Sequence, residues 1–198
     1  MNEIYLFLNN LEFNWSVVES FAVLFSIIYV VLAAKQNIWC WAFAVLSVIL
    51  YIYIYNSVQL YAETGLQVFY LAMAFYGYHN WNKKEQSLQI KEWSISKHFL
   101  ILIFGAILTF LMGFYFTNYT NAKMQIIDSF TTVFSIIATY MIVKKIIGNW
   151  LYWIVIDTVS IYLFYSRDLH LTCLLFLAYT VIAIFGYYNW LRILHRDV

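Results

Sequence analysis

The chain has 198 residues, 64% of them hydrophobic, 22% aromatic and only 11% charged, with a mean hydropathy of +0.74. A soluble domain is about half apolar and a quarter charged, so these values exclude one and place residues 1–198 in lipid as a single membrane domain. The net charge of +1, without a basic cluster, gives no reason to expect nucleic acid as a partner.

The chain opens with MNEIYLFLNNLEFNW, which is acidic and lacks the basic segment of a cleavable signal. The first apolar run is therefore expected to remain as a permanent span. A helix crosses the hydrocarbon layer with about 17–25 apolar residues. Seven runs qualify, at 15–34, 39–55, 58–80, 98–117, 127–145, 149–165 and 169–191. The expected fold is an all-α integral membrane protein with seven transmembrane helices. Proline is absent, so a kink would have to come from glycine, serine or packing.

Seven spans sort the basic residues sharply. Lys35, Lys83, Lys84, Lys91, Lys97, Lys144, Lys145, Arg192 and Arg196 fall on one side, and Lys123 and Arg167 on the other. The positive-inside rule then predicts an outside N-terminus and a cytoplasmic C-terminus.

Similar segments recur along the chain. FSII stands at 25–28 and at 134–137, and GYHNW at 77–81 resembles GYYNW at 186–190. The same shift pairs Ser20 with Ser129, Lys35 with Lys144, Trp41 with Trp150, Tyr53 with Tyr162, Tyr70 with Tyr179 and Trp81 with Trp190. The predicted organisation is a first three-helix repeat at 15–81, a linker helix at 98–117 and a second repeat at 127–191. An odd unit repeated directly would return inverted, and the linker helix restores its direction. The result is a 3+1+3 arrangement of two parallel repeats, a geometry in which solute sites lie between the repeats near mid-membrane.

Two spans carry polar residues on one face. On the third, Glu63, Gln67 and Tyr70 recur at i, i+4 and i+7. Ala74 and Gly77 continue the stripe and allow close helix approach. Against lipid such a face is costly, so it is expected to turn inward. Gln67 can both donate and accept hydrogen bonds, which suits an amide or sugar hydroxyls. Glu63, near a span end, is the member most open to simple solvation. On the sixth span Trp150, Trp153 and Asp157 align at i, i+3 and i+7, with Asn149 at its start. Two indoles can clamp a flat cationic ring, each cation–π contact contributing about 0.5–2 kcal/mol; interface anchoring is the plainer role of such tryptophans. Buried Asp157 needs a proton or a positive partner. Under the shift Trp153 falls opposite Ala44, so the halves are not chemically equal. Glu19 and Asp128 pair at the outer span ends, where solvation suffices.

The histidines and Cys40 and Cys173 lack metal-ligand spacing, and the cysteines read as small buried hydrophobes. No phosphate loop or hydrolase motif is present, and no cofactor is expected. A membrane-embedded enzyme would cluster acids or histidines, and a channel would carry charge rings; the polar groups here are scattered singly, which favours a solute carrier.

The stretches QLYAETGLQVFYLAMAFYGYHNW (59–81) and NWLYWIVIDTVSIYLFYSRDLHLTCLLFLAYTVIAIFGYYNW (149–190) resemble the PnuC-type vitamin transporter family. The likeness covers nearly all of 15–191. It implies a SWEET-like architecture and a passive inner-membrane facilitator of nicotinamide riboside, with relatives that carry thiamine or riboflavin. It also implies a homotrimer, with the solute trapped after entry by a cytoplasmic kinase. The family's ligand glutamine falls on Gln67. Nicotinamide riboside importers often carry asparagine where this chain has Asp157, a departure that keeps thiamine in view.

Overall fold

A computed structural model of the protein describes residues 17–57, 61–82, 89–119, 124–166 and 170–196. They form seven helices: α1 (Val17–Ala34), α2 (Cys40–Ser57), α3 (Tyr61–Trp81), α4 (Ile95–Tyr119), α5 (Gln125–Val143), α6 (Asn149–Tyr165) and α7 (His170–Leu194). Each coincides with a predicted span to within a few residues. Five of them, α1, α2, α4, α5 and α7, are long and apolar enough to cross a membrane. The two that fall short, α3 and α6, are those bearing the polar candidate residues. Helix α6 falls short by length, at 17 residues, whereas α3 is the less apolar of the two, as a helix that turns polar groups inward can be.

Neighbours in sequence pack on one another, α1 on α2, α2 on α3, α5 on α6 and α6 on α7. Two further contacts close the ring, α1 against α7 and α3 against α5. Helix α4 packs on α5 through Gly105, Thr109 and Gly113 and leaves most of its apolar surface exposed.

Residues 109 apart in sequence make matching contacts. Gln36 and Lys145 both take left-handed backbone, with φ of 54° and 52°. They end α1 and α5 in the same way, with Asn37 N–H bonding Leu32 O and Ile146 N–H bonding Met141 O, each at 2.9 Å. Such a cap satisfies carbonyls that a helix end would leave open, against about 1–2 kcal/mol for a non-glycine residue in that region. Lys145 Nζ donates to Gln36 Oε1 at 3.0 Å, so the two caps touch. Trp81 Nε1–H donates to Val143 O and Trp190 Nε1–H to Ala33 O, each at 3.2 Å. The C-terminal ends of α1, α3, α5 and α7 therefore gather at one end of the bundle, here called the lysine end after Lys35, Lys144 and Lys145.

The main core is also at the lysine end. Trp41, Trp150 and Trp190 are at most 2% exposed. Trp41 meets Trp81 edge-on at 5.3 Å, Trp150 meets Trp190 edge-on at 5.5 Å, and Trp81 lies 6.2 Å from Trp190 across the middle. Two glycines make room for these rings. A Cβ on Gly77 would stand 2.4 Å from the Trp41 ring, and one on Gly186 would stand 2.8 Å from the Trp150 ring. The link between α3 and α4 is tied to this end by backbone bonds. Lys91 N–H bonds Lys145 O at 2.9 Å and Ile147 N–H bonds Lys91 O at 3.0 Å, and Ile90 joins the core.

Candidate functional site

Two bonds of one design cross between helices near their midpoints. Ser26 of α1 donates to Val23 O at 2.7 Å, and Ser135 of α5 donates to Thr132 O at 2.9 Å. With its own proton spent on the backbone, each serine oxygen accepts from a tyrosine. Tyr179 of α7 donates to Ser26, and Tyr70 of α3 donates to Ser135 at 2.7 Å. Tyr51 of α2 also reaches Ser26. Tyr29, Tyr70 and Tyr179 lie deep in the bundle and are partly buried. Tyr55 is close enough to both Tyr70 and Tyr179 to act on them electrostatically.

The candidate residues divide by depth. Gln67 is half-buried one turn from Tyr70, and its amide makes no hydrogen bond to the described residues. Asp157, at the middle of α6, is 3% exposed, close enough to Tyr179 to act on it electrostatically, and without a hydrogen bond or ion pair among the described residues. Trp153 is partly buried between the main core and a smaller one formed by Phe134, Ala138 and Ile156. Its indole N–H is also unpaired among the described residues. Gln67, Tyr70, Trp153 and Asp157 thus bring four unlike surfaces to mid-bundle: an amide, a phenol, an aromatic face and a carboxyl group.

Three candidates lie elsewhere. Trp150 and Asn149 are sealed in the lysine-end core. The Asn149 amide N–H donates to Ile146 O at 2.7 Å, while its oxygen and the Trp150 indole N–H stay unpaired among the described residues. Glu63 is exposed at the opposite end of α3, in reach of Tyr55. Sequence reasoning missed Tyr29, Ser26, Tyr51 and Ser135. The signal for the serines was present, since FSII at both 25–28 and 134–137 carries them.

Charge is distributed unevenly over the bundle. Outside the spans, Lys145 sits over the Trp81 ring at 4.7 Å, and burial lowers its pKa below the ordinary lysine value. Lys144 donates to Tyr76, and that bond raises its pKa. At mid-bundle the pattern is reversed, with one carboxyl group and no basic side chain from α5 or from α7 between Thr172 and Leu191. No trio of metal-binding side chains is present among the described residues.

The family described as nicotinamide mononucleotide transporter matches residues 16–192. The nicotinamide riboside transporter PnuC of Escherichia coli (strain K12) is 24% identical over 209 residues, covering 91% of this chain and 87% of its own. The protein of the same name from Neisseria mucosa is also 24% identical, covering 89% of this chain and 73% of its own. A crystal structure of the vitamin B3 transporter PnuC superposes with a TM-score of 0.76 at 22% identity, over 98% of this chain and 88% of that one. The helical bundle described above has the fold of that transporter. The chain therefore belongs to the PnuC-type family of membrane transporters.

Proposed function

We propose that the chain is a bacterial inner-membrane facilitator that imports nicotinamide riboside by alternating access. The observation that carries this reading is the set of mid-bundle side chains, with Gln67 and Asp157 unpaired among the described residues and Tyr70, Tyr179 and Trp153 at the same depth. A pyridinium cation is accommodated by the indole face and the carboxyl group, the carboxamide by Gln67, and the ribose hydroxyls by Tyr70 and its neighbours. Hydrogen-bonding lining of this kind discriminates strongly, because a wrong solute leaves buried polar groups unpaired.

The family description names the mononucleotide and the relatives name the riboside. The two differ by a phosphate group, which is best held by arginine, lysine or a helix N-terminus. With a carboxyl group and no basic side chain from α5 or α7 at mid-bundle, the lining favours the riboside. Asp157 equally suits a thiazolium, so thiamine is the second reading.

The mechanism we propose has two parallel three-helix units, α1–α3 and α5–α7, rocking about the solute with α4 as the connector. The basic residues gathered at the lysine end support a cytoplasmic location for it, with the N-terminus outside. In the present conformation the tryptophan plug closes that end, and Asn149 and Trp150 become accessible only when it parts. Retention by cytoplasmic phosphorylation and assembly as a homotrimer belong to the same reading and rest on family resemblance.

Uptake into vesicles containing only this protein tests the proposal. Labelled nicotinamide riboside is expected to enter saturably without an ion gradient, and the mononucleotide to be excluded. Saturable entry of thiamine alone would transfer the assignment to thiamine, and entry of the mononucleotide at the riboside's rate would remove the argument from the lining.

A further inference from the structure

Asp157 is a carboxyl group at the centre of a spanning helix without, among the described residues, a partner to offset its charge. On its own helix the titratable neighbours are Tyr152, Tyr162 and Tyr165. From α7 it faces Tyr179, with Cys173, whose thiol is directed to Ile161 O, and Tyr187 further along. From α5 it receives no ionisable group at its own depth, since Asp128 and Lys144 lie at the two ends of that helix and Tyr140 near one of them. The Tyr179 hydroxyl, on which Asp157 acts electrostatically, has its proton directed at Ser26 and so does not donate to the carboxyl group. A carboxylate in such a place without a cation or a donor is strongly disfavoured and takes up a proton instead.

We propose that Asp157 is protonated in the empty carrier and gives up that proton when a ring with a permanent positive charge binds, so that the site selects such rings over neutral rings of the same shape. This rests on the reading of the bundle as a carrier of cationic vitamins. When the solute binds, the Asp157 O–H bond breaks and both electrons stay on the carboxylate. The proton leaves to water on the side to which the site is open. The cation takes its place, so the net charge inside the bundle is unchanged. A neutral ring displaces no proton and leaves the carboxyl group as it was. A cation unable to displace it would leave an uncompensated charge in the bundle.

Titration calorimetry on the purified full chain in lipid nanodiscs tests this, with nicotinamide riboside, its uncharged dihydro form and thiamine as probes. The enthalpy of cation binding is expected to depend on the ionisation enthalpy of the buffer, reporting release of up to one proton. Affinity should strengthen about tenfold per pH unit below the pKa of the group and level off above it. The dihydro form should show neither effect. Asp157→Asn should abolish both effects for the cations while still binding the dihydro form; a thermal melt checks that it is folded, and the comparison of charged and uncharged probes on the native chain stands without it. Cation binding with no proton release and no pH slope between about pH 5 and pH 9 would overturn the proposal. So would proton release that persists in Asp157→Asn. Thiamine binding with proton release while both nicotinamide probes fail would remove the nicotinamide reading and support the role of Asp157. Failure of all three probes would remove both.

Discussion

Two tryptophans of the second repeat, Trp153 read as a binding candidate and Trp190 as the repeat mate of Trp81, have different work in the fold. Trp190 is fully buried, with its indole N–H on Ala33 O and its ring against Trp150. Trp153 is partly exposed with a free N–H among the described residues. Trp190→Ala is therefore expected to cost about 3–5 kcal/mol of stability, read as a lowered Tm in detergent. Trp153→Ala should lower Tm less than Trp190→Ala does and weaken riboside affinity by roughly tenfold or more, as loss of a desolvated cation–π face implies. Equal Tm losses for the two would place Trp153 in the frame. The face shared by Trp150, Trp153 and Asp157 was legible from helical spacing. The spacing could not say that Trp150 would be plugged under Gly186, because that depends on the approach of α7.

At the scale of elements, helix existence and limits were readable because each span is a long apolar run with a short polar joint. The closeness of particular helices was less so. Gly77 read as a general small-residue contact and Gly186 only as part of the recurring GYYNW, while the fold uses each as a seat for one indole ring. Alanine at either position must push a buried ring aside, and overpacking of this kind costs about 1–3 kcal/mol. Gly77→Ala and Gly186→Ala are expected to lower Tm, and Trp41→Phe should recover part of the loss in Gly77→Ala by freeing space. A Gly77→Ala chain as stable as the native one would mean that α2 and α3 are further apart than described. The polar faces of α3 and α6 were predicted to turn inward, and Gln67, Tyr70 and Asp157 lie within the bundle. Glu63 does not, since it belongs to the exposed first turn of α3.

For the whole molecule, the shift that pairs Tyr70 with Tyr179 also pairs the two bonds these residues make. Tyr70→Phe and Tyr179→Phe should then lower stability by similar amounts, about 1 kcal/mol each and nearly additively. Thermal unfolding of the two single variants and the double variant checks this, and a large effect from only one would show unequal interfaces. Which helices meet across the middle was not legible, because apolar periodicity marks buried faces without naming their partners.

The crossed serine–tyrosine bonds have an ancestral implication. Each joins the first helix of one unit to the third helix of the other. A single three-helix polypeptide pairing with its own copy would make both from one set of residues, as self-complementary two-fold contacts do. Joining two such copies end to end requires one additional crossing, which α4 supplies from the outside of the ring. Once joined, the copies were free to differ at the proposed solute site, with Val48 across from Asp157, Ala44 across from Trp153 and Phe176 across from Gln67. Under the function proposed above, a lopsided vitamin, charged at one end and hydroxylated at the other, would be met by a lopsided lining held in a balanced scaffold.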